Sequence, residues 1–298
     1  MKACVLPPPL RPGDHLWVTL PSGTLRELTD WEKGLEVWRS RGYHLHLSAH
    51  YQDRCGYLAG TDLDRRTALA EGLINPQYRG VLTGRGGYGG ARLLEAWQWP
   101  LDTCKWVVGF SDITALLWHL AQQGIASLHG PVITTLAAEP QDSQQRLFDY
   151  LEGRPVEPLR GEGWGKGTVT GILLPGNLTV ATHLLGTALM PDLTDVILAL
   201  EEVGEVPYRL DRMLTQWRLS GLLDVVKGIA LGRFSRCQPP LDQPSWTVEE
   251  VLRDRLGSLG IPIVSSLAFG HDGANPALPV GVVAHLDADR GVLSIPQP

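Results

Sequence analysis

A serine stands where an apolar run stops. In Val107-Val108-Gly109-Phe110-Ser111-Asp112 a buried type of strand, 105–110, ends in a turn, and an amphipathic helix, 112–123, begins at once. Its apolar residues Ile113, Leu116, Leu117 and Leu120 follow the i, i+3, i+4, i+7 pattern. Such a turn lifts a hydroxyl above the sheet, and the first helical N–H groups are free to bind an oxyanion. The chemistry it suits is nucleophilic attack on a carbonyl. The strict Gly-x-Ser-x-Gly pattern is absent, because Ile113 stands at the second glycine position. A plain helix cap at Ser111 or Asp112 is the other reading.

Three further stretches carry candidate groups. Gly84-Arg85-Gly86-Gly87-Tyr88-Gly89-Gly90 follows a strand and contains GxGxxG at Gly84, Gly86 and Gly89. That pattern admits a dinucleotide site, with Asp112 as its acidic partner, and hence a nicotinamide-dependent oxidoreductase. It equally suits a loop that brings its backbone close to a substrate and donates an N–H. Glu201, Glu202 and Glu205 close the strand 196–201. They read as a solvated strand end, or as the source of one carboxylate that orients a histidine. His271, in Phe269-Gly270-His271-Asp272 just past strand 262–269, is placed like a general base. His44 and His46 share one strand face near His50, but no carboxylate or cysteine at ligand spacing joins them, so a decorated strand surface is expected and no metal site.

These groups need a frame. Strands are expected at 15–20, 44–49, 79–83 and 105–110, alternating with helices. Thr24-Leu25-Arg26-Glu27 reads as a capping box opening a helix with Leu28, Trp31, Leu35 and Trp38 on one face. Thr61 is placed to cap a helix from about Asp62 to Ile74. This order predicts an α/β fold with a mostly parallel N-terminal sheet flanked by helices, of the flavodoxin or amidotransferase kind, and ligands at the carboxyl ends of its strands. Residues 151–167, rich in glycine, read as a linker between a 1–150 domain and a smaller 168–298 α/β domain. The second domain is expected to hold strands 168–174, 196–201, 226–232 and 262–269, helices 207–220 and 248–257, and a hairpin at Asp289-Arg290-Gly291.

A net charge of -6 argues against a nonspecific nucleic-acid face. Cys4, Cys55, Cys104 and Cys237 form no CxxC pair, which suggests isolated thiols in a reducing compartment. The first residues, Met1 to Leu6 followed by three prolines, do not read as a signal peptide, and no apolar run approaches the ~20 residues of a membrane span. A cytoplasmic protein without membrane contact is expected.

Together, in order and from about residue 10 to 290, these stretches resemble the LD-carboxypeptidase family of serine peptidases, which includes murein tetrapeptide carboxypeptidases and microcin C immunity peptidases. The resemblance rests on Gly86-Gly87-Tyr88-Gly89, Gly109-Phe110-Ser111-Asp112, Gly176-Asn177-Leu178, Leu200 to Glu205 with Pro207 to Leu214, and Phe269-Gly270-His271. Pro12-Gly13-Asp14, Pro21-Ser22-Gly23 and Ala59-Gly60-Thr61-Asp62 agree; Leu20 departs from the family's more usual alanine. The resemblance implies Ser111 as nucleophile, His271 as base and Glu201 as its orienting group. It also implies Gly87 and Asp112 N–H groups as oxyanion donors, a site between two domains, a homodimer, and no metal or cofactor. The substrate implied is a short peptide ending in a D-amino acid, typically D-Ala. Arg85 and Gly86 are candidates for binding it, Arg85 by position for its free carboxylate. An adenylate substrate of the microcin type is the alternative, and the short segment between Asn177 and Glu201 favours the murein role.

Overall fold

The computed structural model describes residues 1–98, 100, 104–239 and 242–296. The chain divides into two compact units. The N-terminal unit is Cys4–Pro155 with Pro276–Gly281; the C-terminal unit is built on Val156–Asn275, with residues 282–296 and Met1–Ala3.

The N-terminal unit is a six-stranded sheet with flanking helices. Strands β1 (His15–Thr19), β2 (His44–Leu47), β3 (Tyr78–Thr83), β4 (Trp106–Gly109) and β5 (Ser127–His129) are parallel, in the order β5-β4-β3-β1-β2. Parallel strands are covered on both faces, and β4 obeys this with all four residues buried. Helix α1 (Leu28–Ser40) packs with Trp31, Leu35 and Trp38 wholly inside. Two expectations fail at its start. Thr24 makes no capping box: its hydroxyl donates to the Asp53 carbonyl at 3.2 Å, Glu27 precedes the helix without a side-chain cap, and Leu28 is 55 % exposed. The loop 50–60 has taken the threonine that local pattern assigned to the helix. Helix α2 (Asp62–Ile74) does carry its Thr61 cap, reciprocated by Asp64.

After β3, the glycine-rich turn leads into α3 (Gly90–Leu93), a single turn. A 3-10 turn at Ser111–Ile113 then runs into α4 (Thr114–Gln122), which buries Leu116, Leu117 and Leu120. Each such side chain contributes roughly 1.5–3 kcal/mol of burial, which fixes the turn before it. Helices α5 (Ile133–Leu136) and α6 (Gln141–Leu151) complete the unit.

The C-terminal unit holds an eight-stranded sheet. Its parallel centre is β8 (Thr168–Asn177), β9 (Val196–Val203), β10 (Gly228–Ser235) and β11 (Ile263–Ser265), connected through α7 (Leu178–His183), α8 (Pro207–Leu219) and α9 (Val248–Leu256). β11 is far shorter than the expected 262–269, because Ser266 turns to φ +59 and takes the chain out of the ladder. The expected linker 151–167 also contains two short strands. β6 (Leu159–Arg160) and β7 (Glu162–Trp164) pair antiparallel with β14 (Val292–Ser294) and β11, closing the two ends of the sheet. Strands of two or three residues have no period to read. β13 (Val282–Asp287) and β14 form the foreseen hairpin. Between β11 and β13 the chain returns to the first sheet, where β12 (Leu278–Val280) pairs antiparallel with β5, so residues 276–281 leave the expected 168–298 domain. Among the described residues, no helix is long and apolar enough to cross a membrane.

Candidate active site

Phe110 is extended at φ -152, and Ser111 then turns to φ +62, where an L residue costs roughly 1–2 kcal/mol. A serine held in that conformation between a buried strand and a helix has the backbone of an elbow, and the N-cap position of the turn is Phe110, not Ser111. The strain is sustained by the packing of β4 and α4.

The glycine loop runs against it. A Cβ built on Gly86 would stand 3.0 Å from Ser111 Cβ and 3.2 Å from its Oγ, tighter than an ordinary contact, so glycine eases the close passage of the backbone. Gly87 follows at φ +119. The loop is tied to the segment after β1: Gly23 N–H donates to the Gly86 carbonyl at 3.2 Å, and Arg85 Nη1 donates to the Thr24 carbonyl at 2.7 Å. Arg85 is half-buried, and desolvation lowers its pKa. Asp112 is the first residue after Ser111 and lies in the first turn, where backbone N–H groups generally lack an intrahelical acceptor. Its carboxylate is 5 % exposed, and burial raises its pKa. It accepts from Ser22 Oγ and Gly90 N, so it is not disposed to bind a ribose, and the single-turn α3 is a poor cradle for a pyrophosphate. The dinucleotide reading of this loop is thereby set aside.

In the C-terminal unit, Glu201 lies within the buried run of β9, which extends to Glu202, and is wholly inaccessible. Of the strand-end acids, Glu201 and Glu202 are therefore not a solvated edge, since Glu202 is buried as well, whereas Glu205 beyond the strand is partly exposed and meets Arg209. Glu201 Oε2 accepts from His271 Nδ1 at 2.7 Å. Gly270, at φ +114, permits this, since a Cβ there would fall 2.9 Å from Glu201 Cβ. Ser235 Oγ donates to the His271 carbonyl and Asn275 Oδ1 accepts from Gly270 N at 3.0 Å, fixing the loop from both sides. A carboxylate on Nδ1 sets the tautomer in which Nε2 is the basic nitrogen.

Asn177, named in the sequence motif without a role, lies between the two acids. Its Nδ2 donates to Glu201 Oε1 at 3.2 Å and to Glu202 Oε1 at 3.0 Å. Glu202 also accepts from Thr179 N at 2.6 Å and Val203 N at 2.7 Å; burial nevertheless pushes its pKa up. No periodicity announces this contact, because it depends on the parallel pairing of β8 with β9 that sets Asn177 beside Glu201. Beside the His271 loop, at the carboxyl ends of β10 and β11, lies a cavity of about 710 Å³ lined in part by Trp164, Ser235, Arg236, Leu252, Ser266 and Asp272. The histidines of β2 meet His15 instead of a carboxylate: His15 Nδ1 and His46 Nε2 are 2.7 Å apart, and among the described residues no group of three or more His, Cys, Asp or Glu is arranged to hold a metal ion.

A strained serine elbow and a buried carboxylate–histidine pair are peptidase parts, and sequence comparison agrees. Residues 17–130 match the LD-carboxypeptidase N-terminal domain, and residues 170–286 the LD-carboxypeptidase C-terminal domain. The chain belongs to the LD-carboxypeptidase family of peptidases. It is 59% identical to the Synechocystis protein slr1534, over 98% of each chain; that protein's name gives the class carboxypeptidase and no substrate. It is 33% identical to the murein tetrapeptide carboxypeptidase of Pseudomonas aeruginosa, covering 94% of this chain and 92% of the relative. The microcin C7 self-immunity protein MccF shares the fold, with a TM-score of 0.86 at 21% identity over 99% of both chains. The family resemblance drawn from the motifs and the α/β fold are thus established.

Proposed function

We propose that this peptidase is a serine-type LD-carboxypeptidase that releases terminal D-alanine from murein tetrapeptide, with Ser111 as nucleophile, His271 as general base and Glu201 as the orienting carboxylate. The buried Glu201–His271 contact on Nδ1 carries the reading, because a water-excluded carboxylate at that nitrogen is what a catalytic imidazole requires. The left-handed Ser111 supports it independently.

In this reading Ser111 Oγ attacks the scissile carbonyl carbon as His271 Nε2 takes its proton. The N–H groups of Gly87 and Asp112 receive the oxyanion. The C–N bond breaks, the leaving amine of the D-amino acid takes the proton from His271, and water then repeats the sequence on the acyl-enzyme. Arg85, with one donor engaged by Thr24, offers its others to the terminal carboxylate, beside the backbone of Gly86. The reading includes a homodimer acting in the cytoplasm on a soluble peptide; four unpaired cysteines suit a reducing compartment.

The test is incubation with murein tetrapeptide, following D-alanine, with Ser111→Ala in parallel. Release by the parent alone is the expected result. Release by neither overturns the murein assignment, and the same pair of proteins is then offered an aminoacyl adenylate of the microcin type.

A further inference from the structure

Three backbone segments of the N-terminal unit converge on Ser111: the loop 21–24, the glycine loop 84–90, and the serine turn itself. Two buried charged side chains tie them. Asp112 Oδ2 accepts from Ser22 Oγ at 2.6 Å and from Gly90 N at 2.7 Å. Arg65, 1 % exposed on α2, donates through Nη1 to the carbonyls of Pro21 and of Gly89, the latter at 2.9 Å. The acid therefore reads Ser22 and Gly90, and the base reads the residue just before each. Neither side chain has a place in the reaction described above. A buried carboxylate and guanidinium are costly to keep unless paired and hydrogen-bonded; here, among the described residues, Nη1 and Nη2 of Arg65 are engaged and Nε is not. Glycine at 89 and 90 serves the same contacts, because a Cβ there would meet Arg65 Nη1 at 2.9 Å and Asp112 Oδ2 at 3.0 Å.

We propose that the Asp112 carboxylate and the Arg65 guanidinium are positioning groups for the oxyanion donors. They lock the glycine loop and the 21–23 loop to the serine turn, so that Gly87 N–H and Asp112 N–H keep one aim. The inference rests on the reading of Ser111 as nucleophile. Because Asp112 adjoins Ser111 in the chain, a shift of its carboxylate moves one donor directly and the other through Gly90.

The test measures the rate at which a fluorophosphonate labels Ser111, a reaction that needs the nucleophile and its oxyanion donors but not the peptide. The variants are Asp112→Ala, Asp112→Asn and Ser22→Ala, each checked by circular dichroism and melting temperature. Loss of aim by an ångström or less predicts a fall of about 10²-fold for Asp112→Ala. Ser22→Ala, which deletes one hydroxyl, falls less, and Asp112→Asn, which keeps an acceptor oxygen, recovers most of the rate. On peptide, kcat falls with KM nearly unchanged. A folded Asp112→Ala labelled as fast as the parent overturns the clamp alone. Should that variant not fold, Ser22→Ala labelled at the parent rate overturns it equally. A parent that is not labelled at Ser111 overturns both the clamp and the serine-nucleophile reading.

Discussion

Glu201 and His271 are 70 residues apart in the chain, yet Oε2 and Nδ1 meet at 2.7 Å in a place where the carboxylate has no solvent exposure. In the proposed mechanism the contact makes a strand end an orienting device. Glu201→Gln keeps the shape and removes the charge that, in that mechanism, stabilises the imidazolium. It also offers the ring an amide that favours the wrong tautomer. The expected result is a kcat lower by roughly 10³–10⁴ with KM little changed, measured as D-alanine release. A loss under tenfold would remove Glu201 from the mechanism.

Asn177 divides its two N–H donors between Glu201 and Glu202. Asn177→Ala leaves two adjacent buried carboxylates short of a donor. Denaturant unfolding should show a loss of roughly 1–3 kcal/mol, the range for unsatisfied buried acceptors. Glu201 is loosened as well, so kcat should fall about tenfold, with the pH–rate profile displaced. An unchanged profile would make Asn177 purely structural.

Ser111 stores backbone strain at φ +62. Both Ser111→Ala and Ser111→Gly should abolish activity, but their stabilities should diverge. Glycine reaches this conformation without a Cβ penalty, so Ser111→Gly should exceed Ser111→Ala by about 1 kcal/mol, despite glycine's larger unfolded-state entropy. Equal stability by thermal unfolding would show that the turn is not strained.

Much of this site was legible from residue order alone. The apolar periodicity of 113–120 and the β4 run located the Ser111 turn, and the α/β alternation gave the sheet. What escaped shares one cause, dependence on distant chain. Thr24 looked like a cap because Glu27 follows it, and only the approach of Asp53 redirects its hydroxyl. The acids at 201 and 202 left two readings open, a solvated end or an orienting carboxylate, because Asn177 and His271 reach them from other elements. Ser22 and Arg65 carry no chemical signature until Asp112 and Gly89 meet them. β6, β7 and β12 are too short for a period of two to register.

Arg65 is itself seated by Asp62, which it meets through Nη2 while Arg92 Nε donates to both Asp62 oxygens, at 3.0 and 3.1 Å. The hydrogen bonds from Arg92 and then Arg65 lower the Asp62 pKa from 3.8 to about 2, against an opposing desolvation. A carboxyl depressed in the folded state binds its proton less readily there than in the unfolded chain. Its stabilisation is therefore complete above about pH 4 and is lost as the pH falls toward 2. Comparing parent and Asp62→Asn by denaturant unfolding across this range should give a gap of up to about 1 kcal/mol at pH 5 and above, as befits a partly solvated pair. The gap should shrink to a small fraction by pH 2 and close below it. A gap that stays constant with pH would mean that Asp62 contributes through packing or neutral hydrogen bonds, and that Arg65 is held in place without its charge.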